Sequence, residues 1–233
     1  MRNSPRRLGL LGGITWHSSL IYERLINEGV ADALPGQSAD LLVRSYNFGQ
    51  IAADQAAGNW DGLGATFAAD ARLMVDSGAE AILICANTMH LVAPAVEAAV
   101  DVPVINVIDV TAKAIRAAGL ETAGLLGTGF TMRMPFYRER MATHGVTTIA
   151  PEEPDLTSFH ELIYERVARG IITDAERQGA RAASSDLIGR GAQGIIAGCT
   201  EVPLILTAEE LPVPYFDSMA LHAQAAIDFA LAD

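Results

Sequence analysis

The strongest constraint on the fold is an internal repeat that relates the two halves of the chain. The segment GLLGGIT at 9–15 returns as GLLGTGFT at 124–131, a shift of 115 residues. The segment GAEAILIC at 78–85 returns as GAQGIIAGC at 191–199, and VPVI at 102–105 is echoed by LPVP at 211–214. The second pair ends in Cys85 and Cys199, the only two cysteines. Repetition at a fixed spacing predicts two copies of one structural unit, and a pseudo-twofold relation would place one cysteine on each side of a shared cleft.

Short apolar runs alternate with longer helical patterns, which is typical of βαβ units built on parallel sheets. The runs are nearly continuous in apolar character, as expected for strands covered on both faces. We expect an α/β fold with strands near 7–12, 40–46, 80–85, 103–107, 122–127, 146–149, 193–197 and 213–216. Asp109 and Asp217 are candidate helix N-caps. The segments 49–64 and 150–155 are candidate loops, either lids or plain surface loops.

Helical spacing also predicts a helix from Ser18 to Val30, with Leu20, Ile21, Leu25 and Ile26 on its apolar face. The domains are expected to comprise residues 1–108 plus 218–233, and residues 109–217.

Charge and hydropathy limit the partners. The formal net charge of −12 argues against nucleic acid. No stretch approaches the roughly 20 apolar residues of a membrane span. We therefore expect a soluble, cytoplasmic protein in which both thiols are reduced.

Candidate site residues follow the strands, where open parallel sheets bind their ligands. Small residues follow the first strand of each half and let backbone N–H groups approach an anion. Cys85 and Cys199 each precede a helical pattern, so exposed N–H groups would lower the thiol pKa and make each cysteine a usable base. Hydrogen-bond donors for a carboxylate are Asn87, Thr88, Thr128, Thr131 and Thr200.

Several other interpretations were weighed against this one. A cysteine is often a buried small hydrophobe, but both cysteines here stand beside polar residues at matching places. Zinc would need about four ligands, and His90 and His222 do not complete a set, so no metal is expected. His90 has either a cleft-supporting or a purely structural role. The glycine-rich segments are only a weak match to a dinucleotide-binding motif. The sequence contains neither the G-x-S-x-G elbow of serine hydrolases nor a P-loop.

The segments CANTMH at 85–90 and GCTE at 198–201 resemble the two signatures of the aspartate/glutamate racemase family. The resemblance extends over the whole chain, through segments such as IYE at 163–165 and FD at 216–217. It implies two flavodoxin-like domains with the active site between them, and a last helix that packs back on the first domain. It also implies cofactor-independent racemisation of an amino acid by the two cysteines, and a homodimer.

The resemblance also suggests which residues bind the substrate. The stretch GGITWHS at 12–18 is similar to GGMSWES in the aspartate-racemase-like branch, which places Ile14 in the site, and a glutamine of that branch falls on Gln55. Glu201 matches this branch, where cell-wall glutamate racemases have histidine. His17 and Ala86 depart from the pattern. Glu201 is expected to orient the substrate ammonium, to tune His90 or Cys199, or to be a simple helix-start charge.

In this interpretation one thiolate removes the Cα proton and the opposite thiol returns one, while hydrogen-bond donors hold the enediolate. No pyridoxal phosphate is expected. The expected substrate is glutamate or aspartate, with Arg44, Arg133, Arg166 and Arg169 as the available counter-charges. The alternatives are an isomerase or decarboxylase of a small dicarboxylate on the same fold, or a catalytically silent ligand-binding homologue.

Overall fold

A computed structural model describes residues 4–232 of the protein. The chain divides into two compact units, one formed by the residues up to 107 together with those from 222 onward, the other by residues 108–221.

The first unit contains a four-stranded parallel sheet. Its strands have the order β2-β1-β3-β4, so the first strand of the chain lies in the interior of the sheet. The strands are β1 (Leu8–Leu11), β2 (Leu41–Arg44), β3 (Ala81–Ile84) and β4 (Val104–Ile105). The helices are α1 (Trp16–Ala33), α2 (Phe48–Ala57), α3 (Trp60–Asp76) and α4 (Ala93–Glu97), with a 3₁₀ helix at Thr88–Val92.

The second unit repeats this topology, with a parallel sheet in the order β6-β5-β7-β8. Its strands are β5 (Thr122–Gly127), β6 (Thr147–Ile149), β7 (Ile195–Gly198) and β8 (Tyr215–Asp217). The α-helices from here to the end of the chain are α5 (Val107–Ala117), α6 (Gly129–Arg133), α7 (Pro135–Thr143), α8 (Asp155–Glu161), α9 (Asp174–Gly189) and α10 (Ser218–Leu231). A π-helical turn at Leu162–Arg166 and 3₁₀ helices at Val167–Arg169, Val202–Leu204 and Ala208–Glu210 complete the unit.

The α/β class and all eight expected strands are confirmed, although several strands are shorter than expected. β1 and β3 are buried along their whole length, whereas the edge strand β2 is half-buried. Interior strands of a parallel sheet are covered on both faces, which explains their unbroken apolar sequence. The core of the first unit packs α3 against this sheet, and the rings of Tyr46 and Phe67 stack 4.5 Å apart.

The expectation of a loop at 49–64 is wrong, because most of this segment forms α2 and the start of α3. This segment is rich in alanine, which has the highest helix propensity. Gly58 ends α2 in the left-handed region at φ 69°, and the Asn59 side chain caps the start of α3 by accepting a hydrogen bond from the Gly62 N–H. Only Gly58 and Asn59 separate α2 from α3. These cap residues gave the segment a composition that resembles that of a loop.

Two further sequence expectations need correction. Asp109 lies inside the first turn of α5, so it is not the N-cap; its carboxylate accepts hydrogen bonds from Arg140 at 2.7 Å and pairs with His144 at 2.9 Å. In α1, Leu20 is 52% exposed, while Tyr22, Ile26 and Val30 form the buried face. The expected cap at Asp217 is present, since its carboxylate accepts hydrogen bonds from the N–H groups of Met219 and Ala220.

The end of α10 packs on the first unit. The Tyr22 hydroxyl donates to Nδ1 of His222 at 2.9 Å, and Nε2 of His222 donates to the Ile105 carbonyl at 2.6 Å. Ile227 lies so close to Gly29 in α1 that an added Cβ there would come within 2.4 Å of its Cδ1. Across residues 4–232, no helix combines the length and the apolar character needed to cross a membrane.

Candidate functional site

Cys85 follows the last residue of β3 and is fully buried. Its N–H donates to the Leu11 carbonyl at 2.8 Å, so the ends of β1 and β3 are joined at the cysteine. Gly13 lies against the same point, because an added Cβ would meet the Cys85 carbonyl oxygen at 3.2 Å and Ser18 Cβ at 2.4 Å. The Gly13 N–H donates to Ser19 Oγ at 3.0 Å. The glycine loop therefore packs on Cys85, and this N–H already has a partner within the protein.

The Cys85 thiol pKa is raised, contrary to the expectation from sequence. Burial is the larger cause and the negative charge of Glu23 is the second. Burial in apolar surroundings disfavours the thiolate, and the first helical residues after Cys85 form a five-residue 3₁₀ segment that leads into α4. Sequence reasoning missed Glu23, although it lies four residues after Ser19 on the face of α1 that contacts the glycine loop.

His90 makes hydrogen bonds through both of its ring nitrogens. Its Nδ1 donates to the Ala86 carbonyl at 2.9 Å, and its Nε2 accepts from the Val107 N–H at 3.1 Å. This assignment makes the ring neutral and uses both nitrogens. His90 thus fixes the turn that begins at Cys85.

The other expected residues of the first unit lie around this turn. Asn87 and Thr88 are buried, and Ile14 and Ala86 pack as half-buried side chains against the core. Gln55, on α2, is 3% exposed; its Nε2 donates to Met89 Sδ at 3.3 Å, and its buried Oε1 has no hydrogen-bond partner among residues 4–232. The structure therefore brings Gln55 into contact with the CANTMH segment.

Cys199 takes the corresponding place in the second unit, directly after β7. Its thiol donates to Glu201 Oε2 at 2.8 Å, and the Thr200 hydroxyl donates to the same oxygen at 2.7 Å. Burial first, then the charge and hydrogen bond of Glu201, raise the thiol pKa well above its ordinary value. The backbone N–H groups of Thr200 and Glu201 lower this pKa as expected, but their effect is the smaller one.

Thr128 and Thr131 lie together at the end of β5. Their hydroxyls are 3.2 Å apart, and Thr128 Oγ1 accepts from the Thr131 N–H as the N-cap of α6. The Thr131 methyl is 3.8 Å from the position of an added Cβ on Gly198, the residue before Cys199. The two loops that sequence reasoning singled out in this unit are therefore neighbours.

His160 and Tyr164 also lie beside these loops, and sequence reasoning missed both residues. His160 Nδ1 accepts from the Gly129 N–H at 3.1 Å, and its ring lies 4.9 Å from that of Tyr164. Burial, followed by the charges of Cys199 and Glu201, raises the Tyr164 pKa. The spacing of four residues was the available signal, since it places both side chains on one helical face.

The four arginines considered as counter-charges all have carboxylate partners. Arg44 pairs with Asp70 at 3.2 Å, and Arg133 pairs with Glu153 at 2.8 Å. The remaining pairs are Arg166 with Glu176, and Arg169 with Glu165. Among the side chains of residues 4–232, no group of three or more His, Cys, Asp or Glu is arranged to hold a metal ion.

The fold and the two thiols define a class of protein: two α/β units of one topology, each with a cysteine after the equivalent strand. The sequence profile of the Asp/Glu/hydantoin racemase family matches residues 11–226, and the chain belongs to this family.

Solved structures agree with this assignment. A Yersinia pestis protein provisionally described as an Asp/Glu racemase is 40% identical, with a TM-score of 0.92 over 97% of this chain and 99% of that one. An aspartate racemase homologue from Pyrococcus horikoshii is 29% identical, with a TM-score of 0.82 and the same coverage. Glutamate racemase of Francisella tularensis, solved with D-glutamate, shares the fold at 19% identity, with a TM-score of 0.65 over 95% of this chain and 79% of that one.

An uncharacterized protein of Pectobacterium carotovorum subsp. carotovorum, named for the region 3′ of pnlA, is also similar. It is 34% identical over 109 residues, which are 45% of this chain and 69% of that protein.

Proposed function

We propose that the protein racemises an amino acid, aspartate or glutamate, without pyridoxal phosphate or metal, and that Cys85 and Cys199 are its two bases. The observation that carries the proposal is the equivalence of the two thiols. Cys85 follows β3 and Cys199 follows β7, each of which is the third strand along the chain in its unit. β3 pairs with β1, and β7 pairs in the same way with β5. Family membership supports the same reaction class.

In the proposed reaction, one cysteine thiolate takes the Cα proton and the other thiol delivers a proton to the opposite face. The electron pair of the broken C–H bond moves into the carboxylate, giving an enediolate that collapses when the second proton arrives. Each proton transfer contributes roughly 10²–10⁴-fold to the rate. The developing charge also needs hydrogen-bond donors, and we assign this role to Asn87, Thr88, Thr128, Thr131 and Thr200.

The raised pKa values of both thiols bear on how the reaction begins. With pKa values above the ordinary value for cysteine, both side chains are protonated at neutral pH in the free protein. A substrate ammonium group near either sulfur favours the thiolate, because an opposite charge within about 4–6 Å stabilises the charged form. We propose that substrate binding generates the base, and that Glu201 holds the Cys199 proton until then.

The substrate assignment depends on neutral donors as well as on charge. Because the four candidate arginines are paired with carboxylates, recognition of an acidic side chain is assigned to Gln55 and the threonines, with Ile14 and Ala86 shaping the pocket. Such donors bind a carboxylate or a neutral polar group alike, so we expect tolerance for other side chains. We further propose that the active form is a homodimer.

The test is incorporation of solvent deuterium at Cα, followed by proton NMR for a panel of L- and D-amino acids. We expect loss of the Cα proton signal of aspartate or glutamate, with both enantiomers present by chiral chromatography. Activity should persist in dialysed, colourless protein and in EDTA. Exchange with aliphatic or aromatic amino acids alone would overturn the substrate assignment, and exchange with none would overturn the racemase assignment.

A further inference from the structure

The second unit contains a cavity of about 440 Å³, and one of its lining residues, Thr131, also has a role in the racemase proposal. It lies between the edge strand β6, helices α6 and α7, and the loop at 150–154, and its volume is in the range of small-molecule pockets. Its lining is mixed: Leu125, Met132 and Leu156 supply apolar surface, while three arginines and two glutamates supply charge.

Two of the arginines stabilise the rim of this cavity. Arg133 donates to Glu153 at 2.8 and 2.9 Å, and Arg190 donates to Glu152 at 2.8 Å and to the Ala150 carbonyl at 3.1 Å. The loop is therefore tied to α6 on one side and to α9 on the other. A rim that is ordered before a ligand arrives lowers the entropy cost of binding.

The third arginine differs from the other two. Arg138, on α7, has no carboxylate at ion-pair distance among residues 4–232, so its positive charge at the cavity is not compensated. Thr148 Oγ1, on β6, is buried without a hydrogen-bond partner within the same part of the chain. The lining holds three arginines and two glutamates, and Arg190 also pairs with Asp186 at 3.1 Å, so among residues 4–232 Arg138 is the lining arginine whose charge is left for a ligand.

We propose that this cavity binds a small organic carboxylate with an apolar body. In this assignment Arg138 pairs with the ligand carboxylate, Thr148 supplies a hydroxyl donor, and the methionine and leucine side chains cover the apolar part. Arg138, Thr148 and the methionine and leucine side chains have no part in the proposed racemisation, whereas Thr131, which also lines the cavity, does.

The test uses the full chain labelled with ¹³C at the methionine methyl groups and titrated with sodium benzoate. The chain has seven methionines. Met132 and Met134 report on the cavity, and Met89, which contacts Gln55, reports on the surroundings of Cys85. We expect saturable shifts at Met132 and Met134. We expect Arg138→Gln to weaken this binding about tenfold, as loss of a charge-assisted hydrogen bond implies.

Matched variants separate the outcomes. Arg177→Gln, on α9 and outside the cavity, should leave benzoate binding unchanged, and Thr148→Val should weaken it. Shifts at Met89 without shifts at Met132 and Met134, or equal affinity in Arg138→Gln and the wild type, would overturn the proposal. Inorganic phosphate is the second probe: shifts as strong as those with benzoate would show that the apolar lining contributes nothing, and the organic-carboxylate assignment would be wrong.

Discussion

At the scale of single residues, the two thiols depart most from what their sequence context predicts. A cysteine before a helix is expected to have a lowered pKa, since the first N–H groups stabilise a thiolate. Short 3₁₀ segments of five and three residues follow Cys85 and Cys199, and the first of them leads directly into α4. Burial and the carboxylates of Glu23 and Glu201 outweigh the effect of the N–H groups. The sequence identifies the two thiols that we propose as the bases, but their protonation depends on packing.

The contact between Glu201 and Cys199 leads to a prediction about reactivity. Glu201→Gln removes the negative charge that raises the Cys199 pKa, so the thiolate fraction at a given pH should increase. We expect iodoacetamide to modify Cys199 several times faster in the variant between pH 7 and 9, measured by mass spectrometry of the Cys199 peptide. Glu209→Gln is the control, since its exposed side chain makes no contact with Cys199. Unchanged or slower modification in Glu201→Gln would contradict the assigned role.

At the scale of secondary-structure elements, the junction of β1 with α1 supports Cys85. Gly13→Ala would place a Cβ 2.4 Å from Ser18 Cβ and 3.2 Å from the Cys85 carbonyl, and neither atom is the end of a flexible side chain. We expect the free energy of unfolding to fall by about 1–3 kcal/mol, measured by urea denaturation. Gly189→Ala, in α9 with no atom near its added Cβ, should be neutral or stabilising by up to about 1 kcal/mol. Equal stability of the two variants would disprove the close packing at Gly13.

Helix α10 gives a pH-dependent prediction through His222. Burial lowers the pKa of this histidine to about 4, and its two nitrogens are bonded as the neutral ring to Tyr22 and Ile105. As pH falls, His222 is therefore protonated at a higher pH in the unfolded chain than in the folded protein. The contribution of His222 is complete above about pH 6.5 and is lost between pH 6.5 and 4, by up to about 3 kcal/mol.

His222→Gln cannot titrate, so the stability difference between the wild type and this variant should shrink as pH falls through that range. Urea denaturation at several pH values measures it, with the exposed His17→Gln as control. A difference that stays constant from pH 7 to 4.5 would contradict the lowered pKa.

Sequence reasoning succeeded where local pattern and tertiary environment agree. Eight strands were predicted because parallel strands need nearly continuous apolar sequence, and Asp217 was predicted as a cap because its carboxylate bonds the start of the helix that follows it. It failed at Asp109, whose partners Arg140 and His144 are about 30 residues away. It also missed Glu23, His160 and Tyr164, because a four-residue spacing shows that side chains share one helical face but not what that face contacts.

At the scale of the whole molecule, the duplicated topology is the feature that connects sequence to proposed chemistry. Both sheets have the same strand order, and each unit contributes one thiol at the same point of its topology. Racemisation treats the two faces of the Cα atom alike, and a duplicated fold supplies a similar base twice. A duplicated fold that only bound a ligand would have no need of a thiol in both units.

The most direct measurement compares the wild type with Cys85→Ala and Cys199→Ala in D₂O, starting from each enantiomer of aspartate and glutamate. Chiral chromatography gives the rate in both directions, and proton NMR gives exchange at Cα. We predict that each substitution lowers both rates by at least about 10²–10⁴-fold while circular dichroism stays native, because only one sulfur atom is removed. Substantial racemisation by either natively folded variant would contradict the assignment of Cys85 and Cys199 as the two bases.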